Sequence, residues 1–320
     1  MEAINYLRRL QEIYELNKIS SNKLKTHYSQ KFDFDFNKSF KKYNYKTIEG
    51  YEKYFKDAIV DPFLKTLPVN DRQLLKKVYV GFLPTYEPNA LARRFQDNSS
   101  LIILHSELIA ALSYYSELQI IFGQFLANDL KNEKEFLYNG QKHIINCFKD
   151  NNSPSIPLLP QKINKKEFYQ IYIKTNAQEL FTIAHEFAHI YLNHFDSCET
   201  NHLALNGVNI EFFNPNQIME FEADIQAIRW LLNIKKGKWK GFYPFDKSMI
   251  SLAIEIFMLF HLVEVNLGFN DKNSSHPPSI ARLANIGLEF EPDFDKETKE
   301  FLIRMIVNAS NIDSFKISVD

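Results

Sequence analysis

The string His185-Glu186-Phe187-Ala188-His189 constrains this chain more than any other feature. It lies in a run from Gln178 to Phe195 whose apolar residues, Leu180, Ile183, Ala184, Phe187, Ala188, Tyr191 and Leu192, recur at three- and four-residue spacing, which predicts a helix. Side chains four apart on a helix leave from one face. Both imidazoles can therefore converge on one divalent cation, with Glu186 beside them to take a proton from water. Two nitrogens and one carboxylate oxygen suit zinc, and a site with only three protein ligands keeps a position open for a reactant. Alone the string is weak evidence, because chance produces it in about 1 to 2% of chains of this length and histidine content. The residues downstream of it decide.

A third ligand is needed, and its type separates the classes of site. The pattern with glycine three and histidine six residues after the second histidine is absent, since Leu192 and Phe195 occupy those places. Downstream, Met219-Glu220-Phe221-Glu222-Ala223-Asp224 lies in a second helical run, Asn216 to Leu232. Glu220 and Asp224 are one turn apart and share a face, so Glu220 can complete the metal triad while Asp224 takes a hydrogen bond from a ligand histidine and fixes its tautomer. Glu222 projects elsewhere. His202 is the alternative third ligand. His194, His105, His143 and His261 have no partner at ligand spacing and read as surface or satisfied core residues.

These residues resemble the gluzincin peptidases of the HtpX-like and CAAX-prenyl-endopeptidase type, which pair HExxH with a later E-[FY]-x-A-D. Ser275-His276-Pro277-Pro278-Ser279-Ile280-Ala281-Arg282-Leu283 is similar to a further segment of that group, S-H-P-P-x-x-x-R-[LI]. The resemblance implies one zinc ion per chain on His185, His189 and Glu220, Glu186 as general base, and His276 and Arg282 steadying the substrate carbonyl oxygen. Pro88 to Ala92 and Leu101 to Leu108 resemble the group's hairpin, which implies substrate pairing at Asn89, Ala90 and Leu91 by strand addition. Two departures stand out: some seventy residues, Glu107 to Gln178, precede the helix, and the spanning helices of membrane-embedded relatives are missing. The helix-enlarged plan is also similar to phage-exclusion peptidases of the Lit type, which implies a bacterial defence or stress protease cutting a protein substrate.

The rest of the chain sets the frame. A net charge of -1 gives no field that would gather nucleic acid. Lys23 to Lys46 interleaves lysine with Phe32, Phe34, Phe36, Phe40, Tyr43 and Tyr45, but Asp33 and Asp35 interrupt any phosphate-binding face, so the segment reads as a connector. Cys147 and Cys198 form no close pair, and residues 3 to 18 read as an amphipathic helix rather than a signal segment; together they predict a cytoplasmic protein. The apolar stretches Leu101 to Ala127 and Ile250 to Phe269 carry Glu107, Glu117, Glu255, His261 and Glu264, which argues for buried helices and against a membrane span.

Residues 48 to 66 have helical period, Val78 to Leu83 and Leu101 to Leu104 have strand texture, Asn151 to Pro157 reads as a linker, and Asp196 to Asn216 has no clear period. The expected class is α+β, mostly helical, with an N-terminal helical region at 1–70 and a catalytic domain at 71–320 that carries a helical insertion at about 107–176. The expected activity is zinc-dependent endoproteolysis, with a regulatory partner acting through the N-terminal region or the insertion. Two alternatives stay open: a non-catalytic binding or regulatory protein on the same scaffold, and an aminopeptidase.

Overall fold

A capping box starts the helix on which the site depends. Asn164 Oδ1 accepts from the amides of Lys166 and Glu167 at 2.9 and 3.0 Å, and Glu167 Oε2 accepts from the Asn164 amide at 2.7 Å. The computed structural model describes residues 2–16, 48–83, 89–127, 133–149, 164–197, 200–205, 208–213, 216–235, 237–241, 243–267 and 276–312. Lys23 to Lys46, Asn151 to Pro160, Pro88, Cys198 and Ser275 lie outside these residues, as do the side chains of Cys147 and His202.

In chain order the elements are α1 (Glu2–Leu16), α2 (Ile48–Phe55), a π turn (Lys56–Val60) running into α3 (Asp61–Thr66), then α4 (Val69–Leu74). Next come β1 (Val78–Leu83), β2 (Ala90–Arg94), β3 (Ser100–His105), α5 (Ser106–Ala127) and α6 (Glu133–Lys149). The site-bearing part has α7 (Lys165–Tyr191), β4 (Thr200–Leu205), β5 (Val208–Phe213) and α8 (Gln217–Leu232). The chain then forms α9 (Ile250–Ile254), α10 (Ile256–Leu267), α11 (Ser279–Phe290) and α12 (Lys296–Ile312). The class is α+β and mostly helical, as expected.

β3 is the middle strand of the larger sheet, parallel to β1 and antiparallel to β2, with Val78 opposite Ser100 and Ala90 opposite Leu104. It is buried on both faces, which is why its sequence is a continuous apolar run. Along the sheet, alternate residues serve two cores. Leu83, Leu91, Leu101 and Ile103 pack under Ala3, Leu7 and Leu10 of α1, while Phe82, Ala92, Ile102 and Leu104 face the main core. Gly81 lets α1 come this close: a Cβ there would stand 2.3 Å from Leu7 Cδ2.

α7 runs through the main core, buried from Lys174 to His189 without a break, and packs against α5, α8, α9 and the sheet. Phe63 joins the N-terminal helices to it, with ring centroids 5.8 Å from Phe187 and 5.9 Å from Trp230 of α8. The stretch Lys247–Leu267 has the length and apolarity of a membrane-crossing helix. Here it breaks at Glu255, which pairs with Lys174 of α7, and it buries Ile254, Ile256, Phe257 and Leu259 in the core.

Candidate metal centre

Two helices meet at the site. α7 supplies His185, Glu186 and His189; α8, capped by Asn216 through the amides of Ile218 and Met219, supplies Glu220 and Asp224. The structure brings together the predicted ligand atoms. His185 Nε2 and His189 Nε2 are 3.0 Å apart, His189 Nε2 is 3.3 Å from Glu220 Oε1, and His185 Nε2 is 3.5 Å from Glu220 Oε2. Donors placed 2.0 to 2.1 Å from a tetrahedral ion stand about 3.3 Å from one another. The two imidazole nitrogens and the Glu220 carboxylate, one oxygen toward each ring, therefore converge at separations of the size that a zinc-like cation requires, and all three residues are buried. Glu220 Oε2 accepts no well-formed hydrogen bond despite Arg282 Nη1 at 3.1 Å, which leaves a buried lone pair for a cation.

Behind the triangle each ring is held. His185 Nδ1 lies 2.9 Å from Asp224 Oδ1, so the ring donates there and turns the Nε2 lone pair inward. Arg282 grips Asp224 with two hydrogen bonds of 2.7 Å from Nε and Nη2, and sits over Phe257 with 5.1 Å to the ring centroid. The start of α11, and with it Arg282, is fixed by Glu264 of α10, whose two oxygens accept from the Ser279 amide at 3.1 Å each. Phe181, 6.2 Å from the His185 ring, and Phe257 pack together as an apolar floor.

His189 is held by residues that the spacing argument set aside. Its Nδ1 is 2.9 Å from His194 Nδ1, and His194 Nε2 is 3.2 Å from Glu222 Oε2. The signal in the sequence was faint: His194 comes five residues after His189, a spacing that only a tight reversal at the helix end can close. Asn193 provides it in the left-handed region, φ 59°.

Burial and charge pull these groups apart. Burial disfavours the charged His185 ring, but Glu220 and Asp224 outweigh it and push the group up to about 10. Burial takes His189 down to about 4 despite Glu220. Burial also pushes Glu186 up to about 7, with His185 and Arg282 opposing and Glu220 assisting. For Glu220 and Asp224 burial is overcome by Arg282, which keeps both carboxylates ionised. Two buried carboxylates face one guanidinium, so a cation or proton between the imidazoles completes the charge balance.

The remaining predicted residues take distinct places. His276 stands at the rim, its side chain 55% exposed and its Nε2 3.7 Å from Glu220 Oε1. Arg282, read from the sequence as facing the substrate carbonyl, is 7% exposed with three nitrogens turned to Asp224 and Glu220. Asn89 accepts the His105 amide through its carbonyl at 3.0 Å, and Ala90 and Leu91 lie in β2, an edge strand beside α7 and β5. The Leu91 side chain points to the α1 core, so only its backbone faces along the edge.

A model of the Peptidase U49 family matches residues 110–302, a span that begins in α5, ends in α12 and holds the whole triangle with the pairs behind it. No curated protein and no solved structure matches the chain. With more than half of its length matched, and that part being the one that carries the site, the chain belongs to the Peptidase U49 family, the Lit-like peptidases.

Proposed function

We propose that this peptidase is a zinc-dependent endopeptidase of the gluzincin type, with one zinc ion held by His185, His189 and Glu220. The observation that carries this reading is the convergence of His185 Nε2, His189 Nε2 and the Glu220 carboxylate, 3.0 Å between the nitrogens, 3.3 Å from His189 to Oε1 and 3.5 Å from His185 to Oε2, each on a buried residue. Zinc in such a site supplies Lewis acidity to a scissile carbonyl and makes water acidic enough to lose a proton near neutral pH.

Glu186 takes that proton and returns it to the leaving amine; its burial, which pushes it up to about 7, suits a group that must both accept and release. His276, half-exposed at the rim, hydrogen-bonds the carbonyl oxygen as it gains charge. Arg282 is a positioning residue in this scheme, holding Asp224 and Glu220 so that the ligands keep their aim. The backbone of β2 from Asn89 to Leu91 offers an edge for an extended substrate segment. The likeness to HtpX-like and CAAX-prenyl endopeptidases supports this arrangement, and the Lit-type likeness supports cleavage of a cellular protein in bacterial defence.

Elemental analysis of the purified chain tests the metal: about one zinc per chain is expected, lost in His185→Ala. A protein that holds no zinc at all would sink the metal reading. Terminal-fragment proteomics on cells expressing wild type or Glu186→Gln tests the reaction, with internal cut sites expected only in wild type. New ends found only at free N-termini would make it an aminopeptidase instead.

A further inference from the structure

Both ligand histidines need their second ring nitrogen held, and the two are served differently. On His185 the partner is Asp224, locked by Arg282 and fully buried. On His189 the partner is another histidine, and the carboxylate comes one ring later.

Only one placement of protons satisfies this second chain once His189 is a ligand. His189 Nε2 must present a lone pair toward His185 Nε2 and Glu220 Oε1, so its proton sits on Nδ1. That N–H faces His194 Nδ1 at 2.9 Å, which must therefore accept. The His194 proton is then on Nε2 and faces Glu222 Oε2 at 3.2 Å. His194 is 5% exposed on its side chain, whereas Glu222 is 56% exposed, so the chain runs from the buried ligand to the surface.

The backbone is shaped for this contact. α7 ends at Tyr191, Leu192 still bonds back to Ala188 O at 2.9 Å, and Asn193 at φ 59° reverses the path so that the turn His194–Ser197 folds beneath the last helical turn. Arg94 of β2 hydrogen-bonds the Asn193 side chain and ties this reversal to the edge strand. α8 then anchors both ligand rings: His185 through Asp224, and His189 through Glu222 and His194.

We propose that His194 and Glu222 are a positioning relay for the metal, fixing the tautomer and direction of His189. This rests on the zinc reading of the triangle. His194 does not touch the ion and is not a fourth ligand; it acts through His189.

Zinc affinity of the full-length protein, measured by competition with a chromophoric chelator, tests it. His194→Leu should weaken zinc about 10- to 100-fold, and Glu222→Ala about 3- to 10-fold, because its partner is replaced in part by solvent. His194→Gln, whose amide can accept from His189 and donate to Glu222, should return affinity to within about threefold of wild type. Cobalt-substituted His194→Leu should keep the wild-type visible band intensity, since the number of ligands is unchanged. Wild type that binds zinc, with a His194→Leu that binds it equally well, overturns the relay alone. A cobalt band that changes coordination number in His194→Leu also overturns it, by making His194 a ligand. Wild type that takes up no zinc removes the metal reading and the relay with it. Glu222→Ala guards against a folding artefact, because its side chain is at the surface.

Discussion

Helix α7 buries polar side chains in two successive stretches. From Lys174 to Thr182 it hides Lys174, Thr175, Asn176, Gln178, Glu179 and Thr182; from His185 to His189 it hides His185, Glu186 and His189. In the earlier stretch the groups look in different directions. Lys174 reaches Glu255 at the break between α9 and α10, Ser116 of α5 meets Gln178 at 3.4 Å, and Tyr243 donates to the Asn176 carbonyl at 3.2 Å. Thr175 Oγ1, Asn176 Oδ1 and Gln178 Nε2 have no hydrogen-bond partner among the described residues. In the later stretch the lone pairs converge on one point with Glu220, and the far side of each ligand ring is held. Buried polarity is thus common to both; convergence is what makes a site. On the proposed reading the earlier stretch bears on stability and the later one on chemistry.

This contrast can be broken by experiment, beginning with the largest effect. If Glu186 is the general base of the proposed zinc site, Glu186→Gln should lower kcat by about 10²- to 10⁴-fold while zinc content and melting temperature stay near wild type, because the base is lost and no ligand is. Lys174→Met should do the reverse. It strands Glu255 as an unpaired buried charge, costing about 3 to 5 kcal/mol in denaturant unfolding, and Lys174→Met with Glu255→Leu should recover most of that. Zinc affinity in either variant, measured on the folded protein, should match wild type. If Lys174→Met stays folded but loses zinc, the two stretches are one site and the comparison fails. Asp224→Asn comes next. The amide can still orient toward His185 but without charge, and zinc should bind about 10- to 100-fold more weakly.

The same two stretches explain what could be read from the sequence. The pattern from Gln178 onward marked the helix that carries the candidate site, and α7 extends it back to Lys165. Its first turns, Lys165 to Gln170, are exposed or part-buried and continuous burial starts only at Lys174, where the buried groups are of mixed polarity, so the clearest mark of its start is the Asn164 to Glu167 capping box. The hairpin β4–β5 fell where no period was legible, although Leu205 pairs with Val208 across Asn206-Gly207, a strong hairpin dipeptide. At the site, His185, His189, Glu220 and Asp224 could be read because helical spacing alone brings each pair to one face. His194 could not, since its approach depends on a left-handed Asn193. Arg282 was found by resemblance, whereas its pairing with Asp224 and Glu220 comes from the docking of α11 on Glu264, which no local pattern encodes.

A pH dependence separates the stretches most cleanly. Glu179 is 6% exposed, and burial alone pushes its carboxyl from an ordinary 4.5 up to about 8. A carboxyl with a raised folded value keeps its proton in the native state where the unfolded chain has released it. Stability therefore falls as pH rises from about 4.5 to about 8, and the loss is complete above that window. At one pH unit per 1.36 kcal/mol the full cost is about 2 to 4 kcal/mol after allowance for relaxation around the charge. Glu179→Gln keeps the shape and cannot ionise, so it should raise stability at pH 9 and leave it nearly unchanged at pH 4. Urea unfolding of both proteins at the two pH values reads this directly. An equal gain at pH 4 and pH 9 would mean that packing, not charge, is the cause. The neighbouring contrast is then direct: Glu186, on the same helix and shifted in the same direction by the same burial, should give up activity when made neutral, whereas Glu179 should give up only its pH dependence.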